Sequence, residues 1–405
     1  MGKVKSDVAI IGAGPGGAWA ACLLAGRGAR VILVDPSHPR EKPCGGGVTG
    51  RALSIVAPAI DPGLPAVRVR SARFVDSARG REAVVRFPDG NSSTVLVVAS
   101  RTSFDGHLVR AACAAGAMLV PARATAVEAT RTGFSILTRD GGRYHTAHLI
   151  GADGANSLVR RSTLRPFTRG QLSIATGFFA RAASAEEIVI EFVADPPGYI
   201  WSFPRPDHLA IGICAPADDG ATSASLRERA ARWMDANGVV ATARQAYAWP
   251  IPSLSASDLT TLPVAGDRWS LVGDAAGLVD PITREGIFFA LQSAAAAADA
   301  AGSSNPARAY TERVRDEIAS ELARAARLRN LFFQPRFTRL LVDALQRSAA
   351  IRDVMASLIA GTQSYRTLKW RLARTLEAGL ALRALNMVMD RTGRRTVRDT
   401  LQPHD

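Results

Sequence analysis

The segment DVAIIGAGPGGAWAACLLAGRGARVILVD, Asp7–Asp35, decides how the rest of this 405-residue chain is read. Two short apolar runs flank a small-residue stretch of helical length, so the segment reads strand, tight turn, helix, strand. Gly12, Gly14 and Gly17 form G-x-G-x-x-G directly after the first strand, with Pro15 at the start of the helix. Gly12 permits the turn, Gly14 lets the backbone approach a pyrophosphate, and Gly17 lets helix and strand pack closely. The free N–H groups of the helix N-terminus suit phosphate oxygens. Asp35 closes the second strand, where a carboxylate takes a ribose diol and repels a 2′-phosphate. Val8–Gly26 carries no charge and has the length of a membrane span. Its glycines, its proline and the strand that follows at once exclude that reading.

The composition fits a folded, non-disordered chain, with 47% hydrophobic and 21% charged residues. Length alone predicts two or three domains. Cys22, Cys44, Cys113 and Cys214 lie far apart with no C-x-x-C pair, which offers neither a disulfide framework nor a zinc site and points to a reducing cytoplasm. The formal charge of +14 invites a nucleic-acid reading. Only Lys3, Lys5, Lys42 and Lys369 are lysines, and the arginines are scattered with no basic stripe interleaved with aromatics, so no nucleic-acid partner is expected. From Leu331 to the end, basic side chains outnumber acidic ones by 13 to 6, which leaves peripheral contact with an anionic membrane as an expectation for that tail.

The fingerprint alone does not separate NAD from FAD. HLIGADGANSLVRR, His148–Arg161, puts Asp153-Gly154 after a strand, and WSLVGDAAGLVDPITREGI, Trp269–Ile287, puts Gly273-Asp274 after another. With these three motifs in order the chain resembles the para-hydroxybenzoate hydroxylase-like flavoprotein superfamily, which holds FAD. That resemblance implies that Asp274 hydrogen-bonds the ribitol and that the N–H groups of Gly286 and Ile287 face the flavin N1/O2 edge. A helix N-terminus stabilises the negative charge that reduced flavin carries there. SRTSFDGHLVRAA fits the superfamily's Arg-containing segment, making Arg101 a cofactor contact, and Ala124 on the strand ARATAV is expected to meet the adenine through its backbone.

Between the second and third motifs lies a region of short strands containing PPGYIWSFPR, where alternation puts Tyr199, Trp201 and Phe203 on one face. From spacing alone that face is core packing or the wall of a long apolar site. EKPCGGGVTGRAL, Glu41–Leu53, embeds Cys44 among glycines. Together KPCGGG and Y-x-W-x-F-P resemble the geranylgeranyl reductase family, flavoenzymes that saturate isoprenoid double bonds. The resemblance covers Val8 to about Ala300 and implies a mixed α/β (α+β) fold. Its parts are a Rossmann-type FAD-binding domain (1–65, 95–161 and 263–300), an antiparallel β-sheet substrate domain (66–94 and 162–262) and a C-terminal helical region (301–405). It further implies hydride transfer from reduced flavin to a prenyl lipid, with NADPH or a ferredoxin-like protein as electron donor. Cys44, Tyr199 and Trp201 become the candidate catalytic residues, with Cys44, Gly45 and Gly47 at the flavin edge, where a Cβ would clash with the flat ring. Cys44 either shapes the cavity or assists protonation.

Two other readings share the cofactor motifs: a flavin monooxygenase acting on an aromatic or apolar substrate, and a flavin-binding carrier without turnover. A halogenase would need a lysine in its channel, and only Lys42 lies near the FAD loop. In the C-terminal third, Ile351, Val354, Met355, Leu358 and Ile359 recur at helical spacing. That stripe is either the inner face of a cap over the cavity or the apolar face of a membrane-lying helix.

Overall fold

In the computed structural model of the chain, residues 4–61, 63–88, 96–182 and 185–375 are described. The first motif folds as read: strand Val4–Ile11, helix Pro15–Gly26, strand Val31–Val34. Val31–Val34 is buried along its whole length, as a parallel strand covered on both faces must be. Its sheet runs Ala265–Gly266, Trp269–Leu271, Arg143–Gly151, Val4–Ile11, Val31–Val34, Met118–Val120. The pairings from Trp269–Leu271 through to Met118–Val120 are all parallel. A hairpin, Ala124–Thr130 with Gly133–Thr138, adds to it antiparallel through Arg143–Gly151. Helix Pro15–Gly26 packs between helices Arg101–Ala114 and Ile287–Ala300, and small residues such as Ala18, Ala20 and Ala21 let them approach.

The second sheet has seven strands in the order Ala243–Pro252, Leu172–Arg181, Leu209–Pro216, Pro197–Pro204, Glu187–Ala194, Ser71–Asp76, Arg81–Arg86. It is antiparallel except where Glu187–Ala194 runs parallel to Ser71–Asp76, so the all-antiparallel expectation needs that one correction. The hairpin Ser71–Arg86 thus completes a sheet whose other strands come from much later in the chain. The strand Ala66–Arg68 does not join it, pairing with Leu96–Ala99 in a small sheet that also holds Gly47–Thr49. Period-two alternation sorts the faces of the large sheet. Ile200, Ile211 and Ile213 pack under helix Ser223–Ala236 through Leu226, Ala230, Trp233 and Met234. Phe74, Ile188, Ile190 and Phe192 face the other way.

Helices Ser320–Phe332, Pro335–Arg347, Ala349–Ile359 and Tyr365–Ala373 cover that other face. The stripe of Ile351, Val354, Met355 and Leu358 is buried, and Ile351, Met355 and Leu358 belong to the same cluster as Phe74, Val85 and Ile188. The membrane-lying alternative for this helix therefore gives way to the cap: its apolar face is consumed inside the protein. The part of the C-terminal region from residue 376 onward lies outside the described residues. Among the described residues, no helix is long and apolar enough to cross a membrane, and no cluster of metal ligands occurs. All four cysteines are free thiols.

Candidate active site

Gly12 has φ +100°, and a Cβ on it would overlap the Ala152 carbonyl; one on Gly17 would overlap the carbonyl of Gly12. Both glycines are thus required by backbone packing, Gly12 also by its left-handed conformation. Gly14 is the N-cap of helix Pro15–Gly26 and no side chain caps it, which leaves the N–H groups of the first turn open to an anion. Asp35 is buried and enclosed by its own loop. Its carboxylate accepts from Ala13 N–H (2.9 Å), Ser37 N–H (2.8 Å) and His38 N–H (2.8 Å), and pairs with the His38 ring at 2.8 Å. These four partners tie the carboxylate of Asp35 to the loop beside the fingerprint. His38 continues to Asp105 at 3.4 Å, and Asp105 grips Arg101 bidentately at 2.8 and 2.7 Å. Ala124 opens its strand opposite Thr138, away from the central cavity.

A cavity of about 230 Å³ brings most of the other predicted residues together: Pro15, Cys44, Gly45, Gly47, Arg101, Tyr199, Trp201, Asp274, Gly286 and Ile287 all line it. Asp274 stands on the turn Gly273–Ala276, its carboxylate 3.8 Å from Lys42 Nζ. Gly286 is the N-cap of helix Ile287–Ala300, again with no side-chain cap. Two uncapped helix N-termini and an acid with spare acceptor capacity thus converge on one space. That donor set fits a dinucleotide with a pyrophosphate at one end and an electron-accepting ring at the other. Glu285, between Asp274 and the second helix, is clamped by Thr49 Oγ1 (2.7 Å) and by Arg51. Asp280 is buried, accepts from Ile282 N–H, Thr283 N–H and Tyr365 O–H, and has its pKa pushed up by burial.

The Cys44 loop is locked from below by residues that sequence reading missed. Arg205, with no exposed side-chain surface, donates from Nη2 to the Cys44 carbonyl at 2.5 Å and pairs with Glu41. Burial pulls its pKa down to about 10. Glu41 also accepts from Ser100 Oγ (2.7 Å) and Arg101 N–H (3.1 Å). The only signal for Arg205 was its place immediately after Y-x-W-x-F-P. The glycines need a corrected explanation too. A Cβ on Gly45 would sit 2.7 Å from the Phe203 ring, one on Gly47 3.2 Å from it, and Gly46 takes φ +86° against the Ala99 carbonyl. The loop is glycine-rich because the aromatic strand lies against it, whatever ring lies on its other side. Cys44 Sγ accepts from Gly46 N–H at 3.3 Å and lies beside the Arg101 guanidinium.

Tyr199, Trp201 and Phe203 all line the cavity, and Trp201 also packs in a small core cluster with Ala175, Cys214 and Tyr247. Trp201 can lie flat there because residue 212 is glycine: a Cβ would collide with the indole and with Tyr247. Tyr199 stacks with Phe333, centroids 6.1 Å apart, and burial pushes its phenol pKa far up. The lining continues in apolar side chains, with Phe74, Ile188, Ile190 and Phe192 from the sheet and Phe332, Met355, Leu358 and Ile359 from the covering helices.

A family model described as FAD binding domain matches residues 5–301. The menaquinone reductase of Mycolicibacterium smegmatis is 28% identical over 95% of this chain and 98% of its own. The digeranylgeranylglycerophospholipid reductase of Methanothrix thermoacetophila is 30% identical over 82% and 88% respectively. Among solved structures, a geranylgeranyl bacteriochlorophyll reductase-like protein from Thermoplasma acidophilum superposes with a TM-score of 0.75 at 23% identity, covering 92% of this chain and 100% of that one. At that identity the likeness speaks for the fold. The sequence matches and the cradle geometry carry the rest: the chain belongs to the FAD-binding domain family, within the geranylgeranyl reductase group of FAD-dependent oxidoreductases.

Proposed function

We propose that the protein is a reductase that saturates carbon–carbon double bonds in the isoprenoid chain of a lipid. The observation that carries this reading is the apolar passage running from the FAD cradle between the large sheet and the C-terminal helices. Its walls offer a chain hydrocarbon and aromatic surface, the chemistry that recognises a prenyl group. Relatives named for reducing digeranylgeranylglycerophospholipid and geranylgeranyl diphosphate support it.

FAD, when bound and reduced, supplies a hydride equivalent from its ring. The chain's own residues do the rest. Gly12, Gly14, Pro15 and Gly17 would hold the pyrophosphate, Asp274 would accept from the ribitol, and the N–H groups of Gly286 and Ile287 would meet the N1/O2 edge. Arg101 and the backbone at Cys44, Gly45 and Gly47, which line the same cavity, would border the ring. An isolated alkene has no carbonyl to draw electrons, so reduction depends on close alignment and exclusion of water, which Tyr199, Trp201 and Phe203 provide. The second carbon needs a proton. Burial makes the Tyr199 phenol a reluctant acid, leaving the Cys44 thiol or a water as the donor to test.

The test is anaerobic mixing of pre-reduced, FAD-loaded enzyme with geranylgeranyl substrates. Flavin reoxidation accompanied by a product heavier by two hydrogens per bond is expected. Turnover that requires oxygen and inserts it into the product would make the protein a hydroxylase instead. Supplying NADPH or reduced ferredoxin in the same assay identifies the electron donor.

A further inference from the structure

Arg284 stands in the loop above the cradle with φ +60°, a left-handed conformation that glycine adopts without strain and a side chain does not. Its guanidinium donates from Nη1 to Ser253 Oγ at 2.8 Å and from Nη2 to Ser173 Oγ at 3.1 Å, and its Nε is buried with no acceptor. Arg329, from helix Ser320–Phe332, donates from Nη1 to the same Ser253 Oγ at 2.9 Å and to the Ser253 carbonyl at 2.8 Å. Two cations therefore share one neutral hydroxyl. Asp218 and Asp258 are the acids whose charge reaches Arg329, and Asp258 is committed to Ser255 and Gln171. Among the described residues neither arginine has an ion-pair partner. Of the two, Arg284 lines the cavity and Arg329 stands behind it across Ser253; the other charged residues of the lining are each matched, Lys42 by Asp274, Arg101 by Asp105 and Glu285 by Arg51.

Like charges held together in a half-buried place, at the expense of backbone strain, call for an anion. Arg284 faces the substrate side of the cavity, sharing its lining with Tyr199, Cys214 and Trp249. We propose that Arg284 and Arg329 form a receptor for a phosphate or diphosphate group carried by the prenyl substrate, with Ser173 and Ser253 as supporting hydroxyls. The assignment rests on the prenyl-reductase reading for the lipid, and on the arginines alone for the anion. Guanidinium groups bind phosphate oxygens through paired N–H bonds, which suits the unused donors of both side chains.

Equilibrium binding to the FAD-loaded enzyme, followed by quenching of tryptophan fluorescence, tests this with geranylgeranyl diphosphate, geranylgeraniol and inorganic pyrophosphate. The wild-type protein should bind the diphosphate about tenfold or more tightly than the alcohol. Arg284→Gly and Arg329→Gln should each erase most of that preference while leaving affinity for the alcohol in place. Arg284→Gly also relieves the left-handed strain, so its melting temperature should hold or rise, which separates lost recognition from lost folding. An unchanged preference in both variants would overturn the receptor. So would a shift in flavin potential with no change in preference, because the arginines would then serve the cofactor. Pyrophosphate that binds without displacing the prenyl diphosphate would overturn the head-group assignment. If no prenyl ligand binds but pyrophosphate does, and both variants lose it, the prenyl-reductase reading fails while the anion site stands.

Discussion

Asp274 carries the most direct consequence at the scale of single residues. Among the described residues its carboxylate meets only Lys42, at 3.8 Å, and has acceptor capacity left for a ribitol hydroxyl. Asp274→Ala should weaken FAD binding by about 1.5–3 kcal/mol, roughly ten- to hundredfold, and the flavin-to-protein ratio after gel filtration measures it. His38 makes a pH prediction. Burial disfavours both of its charged partners and its own charged form, yet Asp105 and Asp35 together raise its pKa above the ordinary 6.5, and His38 in turn helps hold the Asp35 carboxyl well below the usual range. The stabilisation from His38 is therefore full below pH 6.5 and is lost as pH rises through the raised value. His38→Ala should cost about 3 kcal/mol at pH 6, less at high pH, in denaturant titrations. These two acids show what a sequence tells at this scale. Asp274 and the fingerprint glycines were legible because their motif fixes a backbone shape. Asp35 was equally visible, but its local partners were not: Ser37 and His38 follow it so closely that an Asx turn takes up acceptor positions on the carboxylate.

At the scale of elements, the Cys44 loop and the strand Pro197–Pro204 behave as one unit. Gly45→Ala places a methyl 2.7 Å from the Phe203 ring and should destabilise the protein by about 1–3 kcal/mol, read from thermal melts. Phe203→Leu should recover part of that loss, so the double variant falls short of the sum of the singles. The motifs KPCGGG and Y-x-W-x-F-P were each visible in the sequence, but their mutual contact was not. They stand far apart in the chain, and no local pattern encodes such a pairing. The same holds for Arg205 and Glu41, which meet only through the fold. Helix Ala349–Ile359 was readable from its apolar stripe, and burial supplied the half that periodicity leaves open, namely which surface the stripe covers. Since Leu358 lines the passage, Leu358→Trp should shorten it. The KM for a geranylgeranyl chain should rise roughly ten- to hundredfold, the loss of burial for one isoprene unit, while a geranyl chain is spared.

On the scale of the whole molecule, one cavity is walled by the parallel sheet's loops, by the large mixed sheet and by the C-terminal helices. A ligand filling it stabilises all three at once. Free FAD at a hundred times its dissociation constant should add about 2.7 kcal/mol to unfolding, as a single transition shifted upward in calorimetry rather than a split one. The fold class could be read from the order of motifs, whereas the shared cavity could not, because its walls come from segments that alternate along the chain. Tyr365 ties this arrangement together by donating to the buried Asp280 from the last described helix. On a ribosome that bond has a schedule. The residues proposed to anchor the cofactor, with the helix Ile287–Ala300, precede in the chain the wall supplied by Phe332, Met355 and Leu358, and the latch at Tyr365 comes later still. The proposed cradle is thus synthesised in full before the side of the cavity that the C-terminal helices close.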